Sequence, residues 1–291
     1  MILLDLSQVM ISNVMSQVGA HTDAIQPDLV RHMIINTIRS LKTKFGATYG
    51  ELIIACDDRK YWRRSYFPAY KGSRKADREK SNIDWAALFD TLNTIKQEIK
   101  DNFPYRVLQV EGAEADDIIG SLCHACHMSG FKPDVNINTT SKILILSGDK
   151  DFVQLQVYPT VRQYDPVRKK DITSSDPEKF LQHLILAGDR GDGVPNVLSP
   201  DNCIIEGQRQ KPLRETKITE ILNTDYGHLS EDIKRNWLRN TMLIDLKRIP
   251  SHIQAEIRHE YHKQENKPRD KIFNYLVNHK MKLLIENVGD F

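Results

Sequence analysis

The stretch that most constrains the fold of this 291-residue chain is Lys142–Phe152. Its four consecutive apolar residues, 143–146, predict a short strand that is buried on both faces. Two carboxylates follow, Asp149 and Asp151, and their spacing can aim both side chains toward one side. Two like charges this close are costly unless a cation lies between them, and oxygen ligands select a hard ion such as Mg²⁺ or Mn²⁺. A polar turn after a strand explains the same residues without any ligand.

Other predicted strands also end in acidic residues. Buried apolar strands are predicted at 2–4, 51–56 and 106–110, and a fifth strand at 161–164. The acidic residues that follow the first three are Asp5, Asp57, Glu114, Asp116 and Asp117. Helical patterns between the strands indicate an α/β fold with a mostly parallel central sheet flanked by helices. Ligand sites of such sheets lie at the carboxyl ends of the strands, so we expect these carboxylates to converge. A two-metal site that clamps the oxygens of a phosphodiester would relieve their repulsion.

A second acidic group follows a predicted helix at 177–187. Asp189 and Asp192 lie three residues apart in a loop with several glycines. Gly191 and Gly193 permit a tight loop whose backbone amides can approach a phosphate. The two carboxylates can therefore reach a second ion.

Positive charge is concentrated in the basic segment, which we define as Arg59–Lys80. This segment has nine Lys or Arg and two Asp or Glu, a net charge of +7 in a chain of net charge +2. A basic block on a mildly acidic body predicts a polyanion partner that is contacted at one place. The alternative is a solvated lysine-rich helix, against which the aromatic residues of the segment argue.

The cysteine pattern at 123–127, Cys-His-Ala-Cys-His, fits both haem attachment and a zinc site. Haem attachment requires export, and the N-terminus lacks a signal peptide, so we expect an intracellular protein with reduced cysteines. Zinc would require a second Cys/His pair, and Cys56 and Cys203 are isolated in the sequence. Cysteines of a buried helix are the default interpretation. No apolar run approaches the ~20 residues of a membrane span.

Three motifs, at 114–120, 147–152 and 188–195, together resemble the flap endonuclease and 5′-nuclease superfamily, especially its bacteriophage ribonuclease H branch. The resemblance covers nearly the whole chain. It implies a PIN-like nuclease domain at 1–180 with a basic helical arch at about 59–82, and a smaller helical DNA-binding domain at 181–291. It also implies a divalent-metal-dependent 5′→3′ exonuclease and flap endonuclease with RNase H activity, which removes lagging-strand primers. The alternatives are a non-catalytic relative that binds nucleic acid and, more weakly, a metal-dependent phosphatase.

The resemblance assigns roles to individual residues. The metal ligands it implies are Asp5, Asp57, Glu114, Asp116 and Asp149 at the tighter site, and Asp151, Asp189, Asp192 and Asp117 at the second. Lys71 and Arg74 match residues that bind the scissile phosphate and stabilise its developing charge. The nucleic-acid-binding residues that it implies are Arg63, Arg64, Tyr70, Lys71, Arg74, Lys75, Arg78, Gly191 and Gly193. Tyr70 could stack on a terminal base.

Cofactors and partners follow from the same resemblance. It implies two Mg²⁺ ions, replaceable by Mn²⁺, and substrates that are RNA–DNA hybrids and flapped or nicked duplex DNA. It implies a monomer without membrane contact in the cytoplasm, which is the host cytoplasm if a phage encodes the chain, and allows a single-strand-binding protein as partner. Residues 198–216 lack the glycine-rich helix–turn–helix of the family, which leaves their duplex contact open. The chain begins at the first strand, so the tail that binds a sliding clamp is not expected.

Overall fold

A computed structural model of the chain describes residues 1–18, 26–127 and 142–291. Its centre is one six-stranded sheet with the order β3-β2-β1-β4-β5-β6. The first five strands in this order run parallel, and only β6 runs antiparallel, against β5. The strands are β1 (Ile2–Asp5), β2 (Leu52–Ala55), β3 (Arg106–Leu108), β4 (Ile143–Leu146), β5 (Val161–Asp165) and β6 (Lys170–Ile172). The predicted α/β fold with a mostly parallel sheet is confirmed, and β6 was not predicted.

Helices connect and cover the strands. The α-helices of the described residues are α1 (Leu6–Val18), α2 (Pro27–Tyr49), α3 (Trp62–Tyr66), α4 (Arg74–Glu79), α5 (Trp85–Asn102), α6 (Ala115–His127), α7 (Pro177–Ala187), α8 (Glu215–Asn223), α9 (Glu231–Ile244), α10 (Ser251–Lys263), α11 (Ile272–Asn278) and α12 (Lys282–Ile285). A 3-10 helix at Lys150–Val157 follows β4. In that part of the chain, none of the helices has the length and apolar character needed to cross a membrane.

The register of the central strands brings their carboxyl ends to one edge. Strand β1 pairs in parallel with β2 on one side and with β4 on the other, so that Asp5 lies opposite Ala55 and Leu4 opposite Leu146. All three strands are buried along their whole length, because helices cover both faces of the sheet. The segments that carry Asp57 and Asp149 therefore leave the sheet beside Asp5.

The C-terminal helices complete the cores on both faces of the sheet. Tyr275 and Leu284 pack in the core that α2 and α5 form on one face. Ile257 and Tyr261 of α10 pack against α6 on the other face. The helical C-terminal part is thus present as predicted, but it shares its apolar core with the sheet.

The segment predicted as an arch folds as two short helices, α3 and α4, with a turn between them. Phe67 and Tyr70 of this turn are buried in an apolar cluster with Ile185 and Val194. Helix α4 has no buried residue. The turn between the two helices is therefore packed onto the protein, whereas α4 faces solvent.

Candidate active site

Asp5 is the central carboxylate of the acidic rim, our name for the edge formed by Asp5, Asp57, Glu114, Asp116 and Asp149. Its Oδ1 accepts a hydrogen bond from the Gln8 amide at 3.1 Å, and its Oδ2 accepts one from Ser147 Oγ at 3.2 Å. The residue is only 5% exposed. Burial, and then the charges of Asp57 and Asp149, raise the pKa of Asp5 to about 7.

The neighbouring carboxylates come from the loops after β2 and β3. Asp57 Oδ1 accepts a hydrogen bond from the Ala115 amide at 2.8 Å, which ties the end of β2 to the start of α6. Asp116 lies in the first turn of α6. Burial and the charge of Asp149 raise the pKa of Asp116 well above its ordinary value, although Lys71 opposes the shift.

Asp149 and Asp151 follow β4 as the sequence predicts. Asp149 caps the 3-10 helix, because its Oδ1 accepts a hydrogen bond from the Asp151 amide at 2.9 Å. Asp151 Oδ1 is buried and has no hydrogen-bond partner among the residues that the structure describes. Burial and then the charges of Asp149, Asp192 and Asp189 raise the pKa of Asp151 well above its ordinary value. A buried carboxylate oxygen without a hydrogen-bond donor destabilises the folded protein, and a bound cation would remove this penalty.

The loop after α7 brings the second acidic group to the rim. Asp189 Oδ1 accepts hydrogen bonds from the Gly191 amide at 2.7 Å and the Asp192 amide at 3.2 Å. Asp189 Oδ2 forms an ion pair with Lys150 at 2.7 Å, a contact that was not predicted although Lys150 separates the two expected ligands after β4. Gly193 has φ +71°.

The loop corrects the prediction that its glycine amides are free to bind a phosphate. The Gly191 amide donates to Asp189, and the Gly193 amide donates to the Arg190 carbonyl at 3.1 Å. A Cβ at Gly193 would lie 2.9 Å from the Ala69 carbonyl oxygen. The structure therefore explains this glycine by a close approach between the loop and the basic segment.

The two predicted catalytic cations lie directly on the acidic groups. Lys71 Nζ is 2.5 Å from Glu114 Oε1 and 3.7 Å from Asp192 Oδ2. Arg74 Nη2 is 2.6 Å from Asp192 Oδ1. Burial alone would raise the pKa of Asp192, but Lys71 and Arg74 outweigh it and hold that pKa below its ordinary value. The basic segment thus supplies counter-ions to the carboxylates in this structure.

Tyr70 does not have the free ring face that base stacking requires. It is 2% exposed, and its ring packs edge-on against Tyr61 with centroids 6.1 Å apart. Its hydroxyl lies 3.0 Å from Glu114 Oε2 and 2.9 Å from Asp192 Oδ2. The stacking prediction is at odds with this burial, and the contacts instead make Tyr70 a link between the two acidic groups.

Asp117 and Arg63 also differ from their predicted roles. Asp117 is fully buried, and its carboxylate is bound by Trp62 Nε1 at 3.2 Å and by Arg63. Arg63 is 2% exposed and lies out of reach of a nucleic-acid backbone. Each neutralises the other in the interior, so this structure favours neither Asp117 as a metal ligand nor Arg63 as a phosphate contact.

An open cleft of about 920 Å³ extends from the acidic rim. Asp5, Asp57 and Asp149 line it together with cations that include Arg59, Arg78 and Lys96. Lys96 lies on α5 outside the basic segment, so the charge pattern gave no signal for it.

The remaining predicted cations, Arg64, Lys75 and Arg78, are accessible to different degrees. The Lys75 side chain is 88% exposed, and Arg64 is exposed as well. Arg78 is partly covered, because its guanidinium lies over the Phe89 ring at 4.7 Å. These side chains can attract a polyanion without any rearrangement of the rim.

The Cys-His-Ala-Cys-His pattern has a structural explanation. Cys123 is fully buried in the core under the sheet. His124 Nδ1 lies 2.7 Å from the Tyr158 hydroxyl, and its Nε2 lies 3.1 Å from the Leu246 carbonyl. His127 contacts the Cys123 carbonyl and Thr160 Oγ1. Both imidazoles are thus engaged within the fold, which supports the interpretation as core residues.

No three or more His, Cys, Asp or Glu side chains form a ready-made cation site in the described ranges 1–18, 26–127 and 142–291. The chemistry of the acidic groups nevertheless fits hard divalent ions, because every donor is a carboxylate oxygen. Two further observations also favour a bound cation: Asp151 Oδ1 lacks a hydrogen-bond partner among the described residues, and the pKa of Asp5 is raised.

Two family models together match residues 7–291. The 5′-3′ exonuclease N-terminal resolvase-like domain matches residues 7–184, and the T4 RNase H C-terminal domain matches residues 176–291. The chain therefore belongs to the 5′-3′ exonuclease family and is a 5′-nuclease, a phosphodiester hydrolase. The family resemblance inferred from the three motifs is confirmed.

Individual relatives refine this placement. The ribonuclease H of Enterobacteria phage T4 is 32% identical over 301 residues, which cover 99% of this chain and 95% of that protein. The flap endonuclease Xni of Shewanella pealeana is 30% identical over 144 residues, 47% of this chain and 48% of its own length. A structure of the bacteriophage T5 flap endonuclease with DNA and metal ions has a TM-score of 0.62 at 17% identity, covering 91% of this chain and 99% of that one. At this identity the last comparison shows the fold.

Proposed function

We propose that this 5′-nuclease is a divalent-metal-dependent 5′→3′ exonuclease and flap endonuclease with RNase H activity. It hydrolyses phosphodiesters near the 5′ end of RNA–DNA and DNA duplexes, and so removes lagging-strand primers. The observation that carries the proposal is that Lys71 and Arg74 line an open cleft together with the acidic rim and also bind Asp192 of the 189–192 loop.

The carboxylates that would hold the ions form two groups. The first is the acidic rim, and the second comprises Asp151, Asp189 and Asp192. Two divalent ions, Mg²⁺ with Mn²⁺ as a substitute, would supply charge stabilisation for the attacking and leaving oxygens of the phosphodiester. Asp117 is left out of this set because it is paired with Arg63 in the interior.

The cations of the chain bind and orient the substrate. Lys71 and Arg74 are held at the rim by Glu114 and Asp192, where they can stabilise the charge that develops on a scissile phosphate. Other cations attract the backbone and release its counter-ions. Arg78 and Lys96 line the cleft, and Arg64 and Lys75 are exposed on the basic segment.

A non-catalytic binder of the same fold is the competing function. Such a protein would bear the cost of several buried like charges without using them.

The substrates proposed here are RNA–DNA hybrids and flapped or nicked duplexes, bound by a monomer in the host cytoplasm. The division into a nuclease domain at 1–180 and a duplex-binding domain at 181–291 belongs to the same proposal, as does a single-strand-binding protein as partner.

The test is digestion of a 5′-labelled RNA–DNA hybrid and a matched 5′-flap DNA duplex in Mg²⁺, Mn²⁺ or EDTA. We expect short 5′ products from both substrates with either metal and none in EDTA. Asp149→Asn should not cleave, whereas Asp101→Asn, an exposed change on α5, should cleave normally. Binding without cleavage by the unmodified protein would favour the non-catalytic alternative, and cleavage in EDTA would refute the metal dependence.

A further inference from the structure

The guanidinium of Arg63 joins three separate elements beneath the acidic rim. Its Nε donates a hydrogen bond to the Leu243 carbonyl, in the last turn of α9, at 2.8 Å. Its Nη1 lies 3.0 Å from Glu114 Oε2 and 2.8 Å from Asp117 Oδ1. Arg63 itself belongs to α3, so one buried side chain connects the basic segment, the start of α6 and the C-terminal helices.

Asp117 anchors this arrangement from the inner side. Its Oδ2 accepts hydrogen bonds from Trp62 Nε1 at 3.2 Å and from the Glu114 amide at 2.9 Å. The Arg63 guanidinium also lies 4.8 Å from the centroid of the Trp62 ring. Asp117 therefore fixes both the backbone of Glu114 and the cation that binds the Glu114 side chain.

The contacts of Glu114 divide into a front set and a back set. At the front, Lys71 lines the cleft and binds Oε1. The Tyr70 hydroxyl lies near Oε2 on the buried side, because Tyr70 is 2% exposed. At the back, Arg63 binds Oε2 from the interior. If Lys71 turns toward a substrate phosphate, Glu114 loses its partner on Oε1. The contact with Arg63 remains, because this residue is 2% exposed and does not line the open cleft.

We propose that Arg63 is a positioning residue of the nuclease site. It holds Glu114 in a fixed orientation on the acidic rim while Lys71 engages the substrate, and it ties that orientation to the end of α9. The inference rests on the proposed function for its meaning, but the geometry at Glu114 can be tested without cleavage. Arginine suits the role because its planar fork reaches acceptors in different directions, whereas a lysine ammonium retains the charge without that geometry.

Arg63→Lys tests the proposal, with Arg162→Lys at an exposed arginine of β5, outside the proposed site, as the matched control. Four quantities are measured for each protein: Mn²⁺ affinity without substrate, nucleic-acid affinity in Ca²⁺, the single-turnover cleavage rate at saturating enzyme, and the melting temperature. Loss of a partner that orients a metal ligand typically costs 10- to 100-fold. For Arg63→Lys we expect Mn²⁺ affinity and the saturated rate to fall by about 10-fold or more. Nucleic-acid affinity should stay within about 3-fold, because Arg63 does not reach the substrate. Arg162→Lys should retain the Mn²⁺ affinity and the saturated rate.

Two results would overturn the proposal. A normal saturated rate with weaker nucleic-acid binding would make Arg63 a phosphate contact after all. A lower melting temperature with unchanged Mn²⁺ affinity and unchanged saturated rate would make it a structural ion pair only. Should Arg63→Lys not fold, the double variant Arg63→Gln/Asp117→Asn replaces the buried pair by two neutral amides and must show the same losses.

Failure of the proposed function gives a different pattern. If neither the unmodified protein nor Arg162→Lys cleaves the substrates, the nuclease proposal fails while the Mn²⁺ titrations still test Arg63. If both cleave normally and Arg63→Lys is indistinguishable from them in Mn²⁺ affinity and rate, only the role of Arg63 is refuted.

Discussion

Replacing Asp5 by asparagine should stabilise the metal-free protein at alkaline pH and leave it nearly unchanged in acid. Burial, together with Asp57 and Asp149, raises the pKa of Asp5 from 3.8 to about 7. At about 1.4 kcal/mol per pH unit, this difference corresponds to at most about 4 kcal/mol of free energy of unfolding.

The sign follows from the protons bound in each state. Below pH ~4 the carboxyl of Asp5 is protonated in both the folded and the unfolded chain, so it causes no loss of stability. Between pH ~4 and the pKa of about 7 only the unfolded chain ionises, so folding loses stability as the pH rises. Above pH ~7 the loss is complete. Asparagine never ionises and therefore avoids this loss.

The net gain is smaller than the full electrostatic value. Asparagine keeps one oxygen for the hydrogen bonds that Asp5 accepts from Gln8 and Ser147, and a lost hydrogen bond costs about 1 kcal/mol. We therefore expect Asp5→Asn to gain about 1–3 kcal/mol at pH 8 in EDTA, and about zero or slightly less at pH 4.5.

Urea denaturation in EDTA at the two pH values measures this difference directly. A saturating divalent ion should reverse the order at pH 8, because the ion stabilises the protein that binds it. Equal stabilities of Asp5→Asn and the unmodified protein at pH 8, or a gain that is the same at pH 4.5, would refute the assignment of a destabilising ionised Asp5 at the rim.

Three further predictions concern the cations, the loop and the metal. Lys71→Ala should lower the single-turnover rate by on the order of 10²-fold with little effect on affinity, because it removes a preorganised cation at the phosphate. A normal saturated rate for Lys71→Ala would show that Lys71 only attracts the substrate. Lys75→Ala should instead weaken binding and flatten the slope of log K against log salt by about 0.9, which a salt titration in Ca²⁺ measures. Gly193→Ala should cost about 2–3 kcal/mol in thermal denaturation, because it adds a close contact with the Ala69 carbonyl to the strain of φ +71°. Gly207→Ala is the control with φ +68° and open space around its Cβ, and an equal cost at both positions would exclude the contact as a cause. Finally, Mg²⁺ at 100 times its Kd should stabilise the unmodified protein by about 2.7 kcal/mol, and a similar gain in Asp149→Asn would place the ion elsewhere.

Local sequence signals were sufficient to predict the sheet and the positions of its acidic ends. Runs such as 143–146 and 52–55 carry such signals, since a short uninterrupted apolar stretch suits a strand that is covered on both faces. The order of strands and helices then implies a parallel sheet, and a parallel sheet collects its carboxyl ends at one edge. The amino-acid sequence alone therefore places Asp5, Asp57 and Asp149 together.

Elements with weak local signals escaped prediction. Helix α1 begins directly after β1 without a turn or a capping signal, and the polar stretch before α8 concealed its start at Glu215. The packing of the C-terminal helices shows the same limit. The apolar faces of α10 and α11 were visible as helical patterns, but no local pattern shows that the sheet covers them.

The contacts of the charged residues in the basic segment depend on tertiary packing and could not be predicted from the sequence. Arg63 and Lys75 are indistinguishable as members of a basic block, yet one is 2% exposed and the other has an 88% exposed side chain. What distinguishes Arg63 is a hydrogen bond that it donates to the Leu243 carbonyl, which lies 180 residues away along the chain. The composition of a segment fixes its charge, and long-range packing fixes whether each charge meets water, a phosphate or a buried carboxylate, because desolvation and pairing depend on atoms that are distant in sequence.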